Sequence, residues 1–226
     1  MGGVALLSGG LDSMVAAAHA VAHGGLDLAV TVDYGQRARR REVDAARLIT
    51  SRFGVRHRVV EVPFLGGLSP AALCDESAAL PEPAEKDLDD EAASLALARQ
   101  VWIPNRNGFL INLAACYAEH LEARRVVVGF NAEEAATFPD NSRDYLAAAT
   151  QALSMSTRNG VEVEAPTLDL DKSGIVELGL ALKAPLELVW SCYSSETEHC
   201  WRCSSCLRLK RALDQNGVFE RFFGTS

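Results

Sequence analysis

The sequence predicts an α/β fold: a parallel sheet with helices on both faces. Three observations carry this. Apolar runs of strand length alternate with longer helical patterns over most of the chain, and strand-helix-strand repetition gives parallel strands. A glycine pair, Gly9-Gly10, stands between the first apolar run and the first helical pattern. Hydrophobic residues make up 48% and charged ones 23% of 226 residues, which excludes disordered, collagen-like and mucin-like classes.

Val4 to Leu7 reads as a short buried strand. Ser13 to His23 has helical composition, and Gly24-Gly25 is its stop signal. Leu26 to Val32 is a second strand, Arg41 to Phe53 a helix closed by Gly54, and Arg58 to Val62 a third strand ended by Pro63. Asn107 to Leu121 is helical, Val126 to Val128 a strand, Tyr145 to Met155 a helix and Val161 to Ala165 a strand. Between them, residues 63–98 break the rhythm with four prolines and an acidic run from Glu82 to Glu91. A loop this long inside a domain is usually functional, so a mobile flap is expected there. Residues 1–184 read as the α/β domain, and residues 185–226 as a cysteine-rich segment with a helix over Cys206 to Gln215.

The net charge of −8 argues against a general nucleic-acid surface, which needs a basic face. A small-molecule substrate is the expected partner, with no direct nucleic acid. The start of the chain has no basic n-region or long apolar stretch, and no run approaches the ~20 apolar residues of a membrane span. A cytoplasmic location with reduced thiols and no membrane partner is therefore expected.

The strongest signal is Leu7-Ser8-Gly9-Gly10-Leu11-Asp12-Ser13, after the first strand and before the first helix. Paired glycines let backbone N–H groups approach an anion, and the helix start adds its positive end. The hydroxyls of Ser8 and Ser13 suit phosphate oxygens. Asp12 repels phosphate, so its place is to orient the loop or to help hold Mg²⁺. Neither a Walker loop nor a dinucleotide fingerprint fits this stretch.

Cys192, Cys200, Cys203 and Cys206 have the spacing Cys-x7-Cys-x2-Cys-x2-Cys. In a reducing compartment this points to a closed tetrahedral Zn²⁺ site, with an iron–sulfur cluster as the lesser alternative. Cys74 and Cys116 lie apart and read as buried small apolar residues. Arg202, Arg208, Lys210 and Arg211 form a local basic patch.

Ligands of parallel α/β sheets sit at the carboxyl ends of the strands. Asp33, Tyr34, Gly35, Gln36 and Arg37 follow the second strand, either as nucleotide-reading groups or as a turn with Gly35 at its corner. Asn107 suits a helix cap, while Asn105 and Arg106 beside it suit ligand contacts. Gly129-Phe130-Asn131-Ala132-Glu133-Glu134 follows the strand at Val126. Asp140 and Ser142 stand equally as caps or as ligand contacts. Lys172 opens a helix, where a cation opposes the dipole, and so implies an anionic partner.

Ser-Gly-Gly-x-Asp-Ser resembles the signature of the PP-loop ATP pyrophosphatases, whose folds are Rossmann-like and bind adenine nucleotides. Asp33-Tyr34-Gly35-Gln36-Arg37, Pro104-Asn105-Arg106-Asn107, Gly129-Phe130-Asn131, Lys172 and Trp190-Ser191-Cys192-Tyr193 narrow the likeness. Together they resemble the queuosine-pathway QueC family, over nearly the whole chain. The stretch Glu133 to Ser142 departs from the family form: an acidic residue, an aromatic and Pro139-Asp140 remain, while a cysteine and an arginine do not.

The resemblance implies a ligase that makes 7-cyano-7-deazaguanine from 7-carboxy-7-deazaguanine, ammonia and ATP through adenylated intermediates. It implies ATP contacts at residues 7–13 and at Asp33, Tyr34 and Gln36. It also implies catalytic or substrate contacts at Lys172, Arg37, Asn105, Arg106, Asn107, Asn131, Glu134 and Asp140. Mg²⁺, Zn²⁺ and a homodimer complete the expectation. The alternative is another PP-loop adenylating enzyme, acting on a different 7-deazapurine acid or on tRNA.

Overall fold

The computed structural model describes residues 2–68, 73–75, 80, 82–83, 88, 90–194 and 197–224. Five strands form one parallel sheet: β1 (Gly3–Leu6), β2 (Leu28–Asp33), β3 (His57–Glu61), β4 (Arg125–Val127) and β5 (Glu162–Glu164), in the order β3-β2-β1-β4-β5. The helices are α1 (Leu11–Ala22), α2 (Arg39–Phe53), α3 (Glu91–Val101), α4 (Arg106–His120), α5 (Ala132–Ala135), α6 (Arg143–Ser156), α7 (Lys172–Ala181), α8 (Ser204–Gln215) and α9 (Phe219–Phe223). The expected strands and helices all form, with ends shifted by one or two residues.

Alternation along the strands assigns the two faces. Val4 pairs with Leu28 and Ala5 with Ala29. Val4, Leu28 and Val126 point to one core, filled by Ile111, Ala114, Ala115 and Ala118 of α4. Ala5, Ala29 and Val127 point to the other, filled by α1, α2, α7 and α8. The small residues at Ala5 and Ala29 meet the alanine-rich face of α1, so that helix packs close to the sheet. Chain order reverses at β1, which pairs with both β2 and β4. This places a crevice at the carboxyl ends of β1 and β4.

Gly54 closes α2 in the left-handed conformation, at φ 66°. Ser142 caps α6 by accepting from the Tyr145 N–H at 3.2 Å, whereas Asp140 is not the cap. Asn107 is not a cap either: α4 begins at Arg106, preceded by Asn105 at φ 50°. Lys172 does open α7, and the helix start is offset by Asp171, which accepts from the Gly174 N–H at 2.7 Å.

Two expectations are corrected. Residues 91–98 are not loop but the start of α3; of the rest of the expected flap, residues 69–72, 76–79, 81, 84–87 and 89 lie outside the described residues. Cys116 is exposed, not buried. The inward stripe of α4 runs through Ile111, Ala114, Ala115 and Ala118, and at 3.6 residues per turn position 116 faces away from it. Cys74 is half-buried. Among the described residues no helix is long and apolar enough to cross a membrane.

Candidate active site and cysteine metal centre

The residues that leave the carboxyl ends of β1, β2 and β4 surround one cavity of about 350 Å³. Leu7, Ser8, Gly10, Leu11, Asp12 and Ser13 form its floor. Gly9 lies behind the floor, at φ 83°. The loop is tied by its own hydroxyls. Ser8 Oγ and Ser13 Oγ lie 3.1 Å apart, and the Gly10 N–H donates to Ser8 Oγ at 3.3 Å. Gly10 is the N-cap residue of α1 and supplies no side-chain acceptor. The first-turn N–H groups of a 12-residue helix therefore open toward the cavity, as an anion site requires.

Gly129 follows β4 where α1 begins. A Cβ there would fall 2.5 Å from the Ser13 backbone nitrogen, so only glycine lets the two chains approach. Gly129→Ala is expected to push α1 off β4 and lower stability by about 1–3 kcal/mol, read as a shift in the urea midpoint.

Lys172 and Asp12 meet across the cavity floor. The Lys172 ammonium donates to Asp12 Oδ2, and to Glu134 Oε1 at 3.2 Å. The anionic partner that the helix-start lysine implies is thus supplied within the chain by two carboxylates. Burial raises the Asp12 carboxyl to about 6, against the opposing pull of Lys172. Burial also works against the Glu134 charge, but Lys172, Asn131 and Arg106 prevail and hold that carboxyl below its usual range. Lys172 stays charged, because the two carboxylates outweigh its desolvation. Asp12 Oδ1 is buried without a hydrogen-bond partner.

Tyr34 and Arg106 form the opposite wall. Arg106 Nη1 donates to the Tyr34 hydroxyl at 3.4 Å, and its guanidinium stands 5.9 Å from the Tyr34 ring. Burial pushes the Tyr34 phenol up to about 12, so it stays protonated. Among the described residues Arg106 makes no ion pair. Arg37, Asn107 and Glu134 also line the cavity.

Other expected site residues shape the walls, and of these Gln36 alone also lines the cavity. Asp33 Oδ1 accepts from the Gly35 N–H at 2.9 Å and builds the turn, with Gly35 at φ 87°. Gln36 reaches the cavity but is spent on structure: it accepts from the Tyr34 N–H and donates to the Val32 carbonyl and to Glu42. Asn131 is fully buried and caps α5 by accepting from the Glu134 N–H at 2.9 Å. Asp140 offers its carbonyl to Asn107 Nδ2 at 3.5 Å. Asn105 sits behind α4, where a Cβ on Gly108 would lie 2.2 Å from its Oδ1.

Sequence reasoning missed the far wall. Ser191, Tyr193, Ser204, Ser205 and Arg208 all line the cavity. Arg208 leaves the expected basic patch and pairs with Glu133 Oε2 at 2.9 Å, while Glu133 Oε1 accepts from the Lys172 N–H at 2.9 Å. The signal for Arg208 is its phase on α8, two residues past Cys206 and on the side of Ser204 and Ser205.

The four cysteines of the C-terminal motif converge as expected. Their sulfurs all lie within 4.8 Å of one another, and those of Cys200 and Cys206 are 3.9 Å apart. A tetrahedral site with Zn–S near 2.3 Å has sulfur–sulfur edges of about 3.8 Å, so the cluster fits a metal. Cys192, Cys203 and Cys206 are fully buried. His199 is not part of the group: its Nε2 accepts from the Ser191 N–H at 3.2 Å.

Comparison with known proteins gives one answer. The chain is 50% identical over 217 residues to the 7-cyano-7-deazaguanine synthase of Desulforudis audaxviator, covering 96% of this chain and 98% of that one. It is 46% identical to the enzyme of the same name from Pelotomaculum thermopropionicum, over 96% and 99% of the two chains. It is 48% identical to that from Bdellovibrio bacteriovorus, over 93% and 91%. The family profile described as "Queuosine biosynthesis protein QueC" matches residues 2–217, which span the phosphate loop and all four clustered cysteines; the chain belongs to the QueC family.

Proposed function

We propose that this protein makes 7-cyano-7-deazaguanine from 7-carboxy-7-deazaguanine and ammonia at the expense of ATP. The observation that carries this is identity of 50%, over essentially both full lengths, to an enzyme named for that product. The geometry supports it. A carboxylate is a poor electrophile, so one oxygen must first become a leaving group. In this reading that oxygen attacks the α-phosphorus of ATP and pyrophosphate departs. Ammonia then adds to the acyl carbon and AMP leaves, giving the amide. A second ATP activates the amide oxygen; the nitrogen gives up its protons as AMP leaves again, and a nitrile remains.

The chain's own residues divide this work. The Ser8 to Ser13 loop and the start of α1 hold phosphate oxygens. Lys172, charged and held at the loop, faces the charge that develops there. Arg106, without an ion-pair partner in the cavity, suits the substrate carboxylate or the purine edge. Glu134, ionised beside Lys172, is the acceptor for a proton from the attacking nitrogen. The free oxygen of Asp12 fits Mg²⁺, which would screen phosphate charge. The four thiolates fit Zn²⁺ with no position open for substrate, so that metal is structural. A homodimer in the cytoplasm remains part of the proposal.

The test is a mass-spectrometric assay of purified protein with ATP, Mg²⁺, ammonium and 7-carboxy-7-deazaguanine. A nitrile product that disappears in Asp12→Asn is expected. No turnover by folded, metal-loaded protein would move the substrate to a different acid. The profile of kcat/KM against pH carries a second expectation. Asp12 is neutral below about pH 6 and ionised above it. If its charge is needed, kcat/KM falls as pH drops through about 6, whereas an unperturbed aspartate would place the acid limb near 4.

A further inference from the structure

The turn that carries the cysteines reaches beyond the metal site. Trp190, two residues before Cys192, donates its backbone N–H to the Gly9 carbonyl at 2.9 Å. Its indole Nε1–H donates to the Cys192 carbonyl at 3.0 Å. The Arg41 guanidinium covers the indole at 4.4 Å and also donates to the Thr197 carbonyl at 3.2 Å. From the other side α2 presses on Gly9: a Cβ there would lie 2.9 Å from Ala45 Cβ and from the Glu42 carbonyl. Ala45, Trp190, Cys192, Cys203 and Cys206 share one buried cluster. The back of the phosphate loop is thus wedged between α2 and the cysteine turn, and one indole joins the two.

The wedge acts on a particular donor. The peptide joining Gly9 and Gly10 is planar and trans, so its C=O and N–H point in opposite directions. With the carbonyl tied to Trp190, the Gly10 N–H is aimed at Ser8 Oγ, 3.3 Å away, in the mouth of the loop. A metal on the four sulfurs fixes Cys192 against Cys200, Cys203 and Cys206, and through the Cys192 carbonyl fixes the indole. Without the metal, Cys192 would lose its tie to the other three sulfurs, its carbonyl would hold the indole less firmly, and the Gly9–Gly10 peptide would be less fixed.

We propose that Trp190 is a positioning residue that couples the cysteine metal site to the phosphate loop, so that nucleotide and metal each bind more tightly when the other is present. The proposal rests on the nucleotide and metal readings above. Linkage makes the coupling reciprocal: the factor by which metal tightens nucleotide is the factor by which nucleotide tightens metal.

The experiment measures the zinc affinity of the purified protein by equilibrium competition with a chromogenic chelator, with and without a saturating non-hydrolysable ATP analogue and Mg²⁺. In parallel, the affinity of a fluorescent form of the analogue is measured for metal-loaded and metal-stripped protein. Saturating analogue is expected to tighten zinc binding, and metal to tighten analogue binding, by about five- to tenfold or more, the low end of typical couplings. In Trp190→Phe both ligands still bind, but the two factors fall toward one. Leu153→Ala, which destabilises the opposite core, keeps them and so separates coupling from general stabilisation. Zinc affinity that ignores bound analogue, or Trp190→Phe with undiminished factors, overturns the proposal. Failure of the analogue to bind, or protein that carries no metal, overturns the nucleotide or metal reading and the coupling with it.

Discussion

Lys172→Met is expected to lower kcat by about 10²- to 10³-fold, the loss typical of removing one preorganised donor from developing charge. Methionine keeps most of the stem volume, so the change isolates the ammonium. The side chain of Lys172 is only 13% exposed and already oriented by Asp12 and Glu134. No reorganisation is needed before it meets a phosphate. The same substitution leaves the Asp12 carboxylate, only 17% exposed, without its cation, and losing one partner of such a buried pair costs about 3–5 kcal/mol, while Glu134, 41% exposed, adds little. Protonation of Asp12, whose carboxyl already sits near 6, limits that cost. Single-turnover rates measured well below the unfolding temperature separate the two effects. If kcat is retained in folded Lys172→Met, the lysine is an architectural ion pair and not part of the chemistry.

Cys203→Ser is expected to have the largest effect on stability. Cys203 is fully buried and is the N-cap residue of α8, so its sulfur stands where the turn becomes helix. Structural zinc in small domains contributes about 10–16 kcal/mol of binding energy that exists only in the folded state. Losing one of four ligands forfeits a large part of it. Bound zinc should fall from one equivalent to a small fraction, and the unfolding temperature should drop by well over 10 °C, since 1 kcal/mol shifts Tm by about 2–4 °C at this size. Cys116→Ser, on the exposed side of α4, should change neither quantity. Equal effects from the two variants would mean that the cluster is not a metal site.

What the sequence revealed, and what it hid, follows from the range of each interaction. The strands are legible because residues such as Val4 and Ala5 alternate between two cores. The phosphate loop is legible because its glycines and hydroxyls are consecutive. The cysteines are legible because ligand spacing is a local constraint. The helix at Glu91–Val101 was hidden by the prolines and acidic residues before it, although its own Ala- and Leu-rich composition favours helix. The burial of Cys116 was misjudged because composition says nothing of which side of α4 meets the sheet. Lys172 announced a need for an anion without naming it, because Asp12 lies 160 residues away. The pairing of Glu133 with Arg208, 75 residues apart, had no local sign, although the phase of Arg208 on α8 pointed it to the cavity side. Gln36 and Asn131 show the converse: polar residues next to a site, with their side-chain oxygens committed to holding its walls.

The bond between Trp190 and Gly9 also bears on how the protein is made. The ribosome builds the phosphate loop among the first residues and the tryptophan that braces it about 180 residues later, roughly ten to forty seconds apart at ordinary elongation rates. Through most of that interval the nascent chain carries a nucleotide loop backed on the α2 side alone, and the cysteines that must capture metal have not yet emerged. Every chain therefore passes through a stage in which the sheet can form while the site stays incomplete. Competence arrives late and in one step, when the last turn docks, instead of growing with chain length.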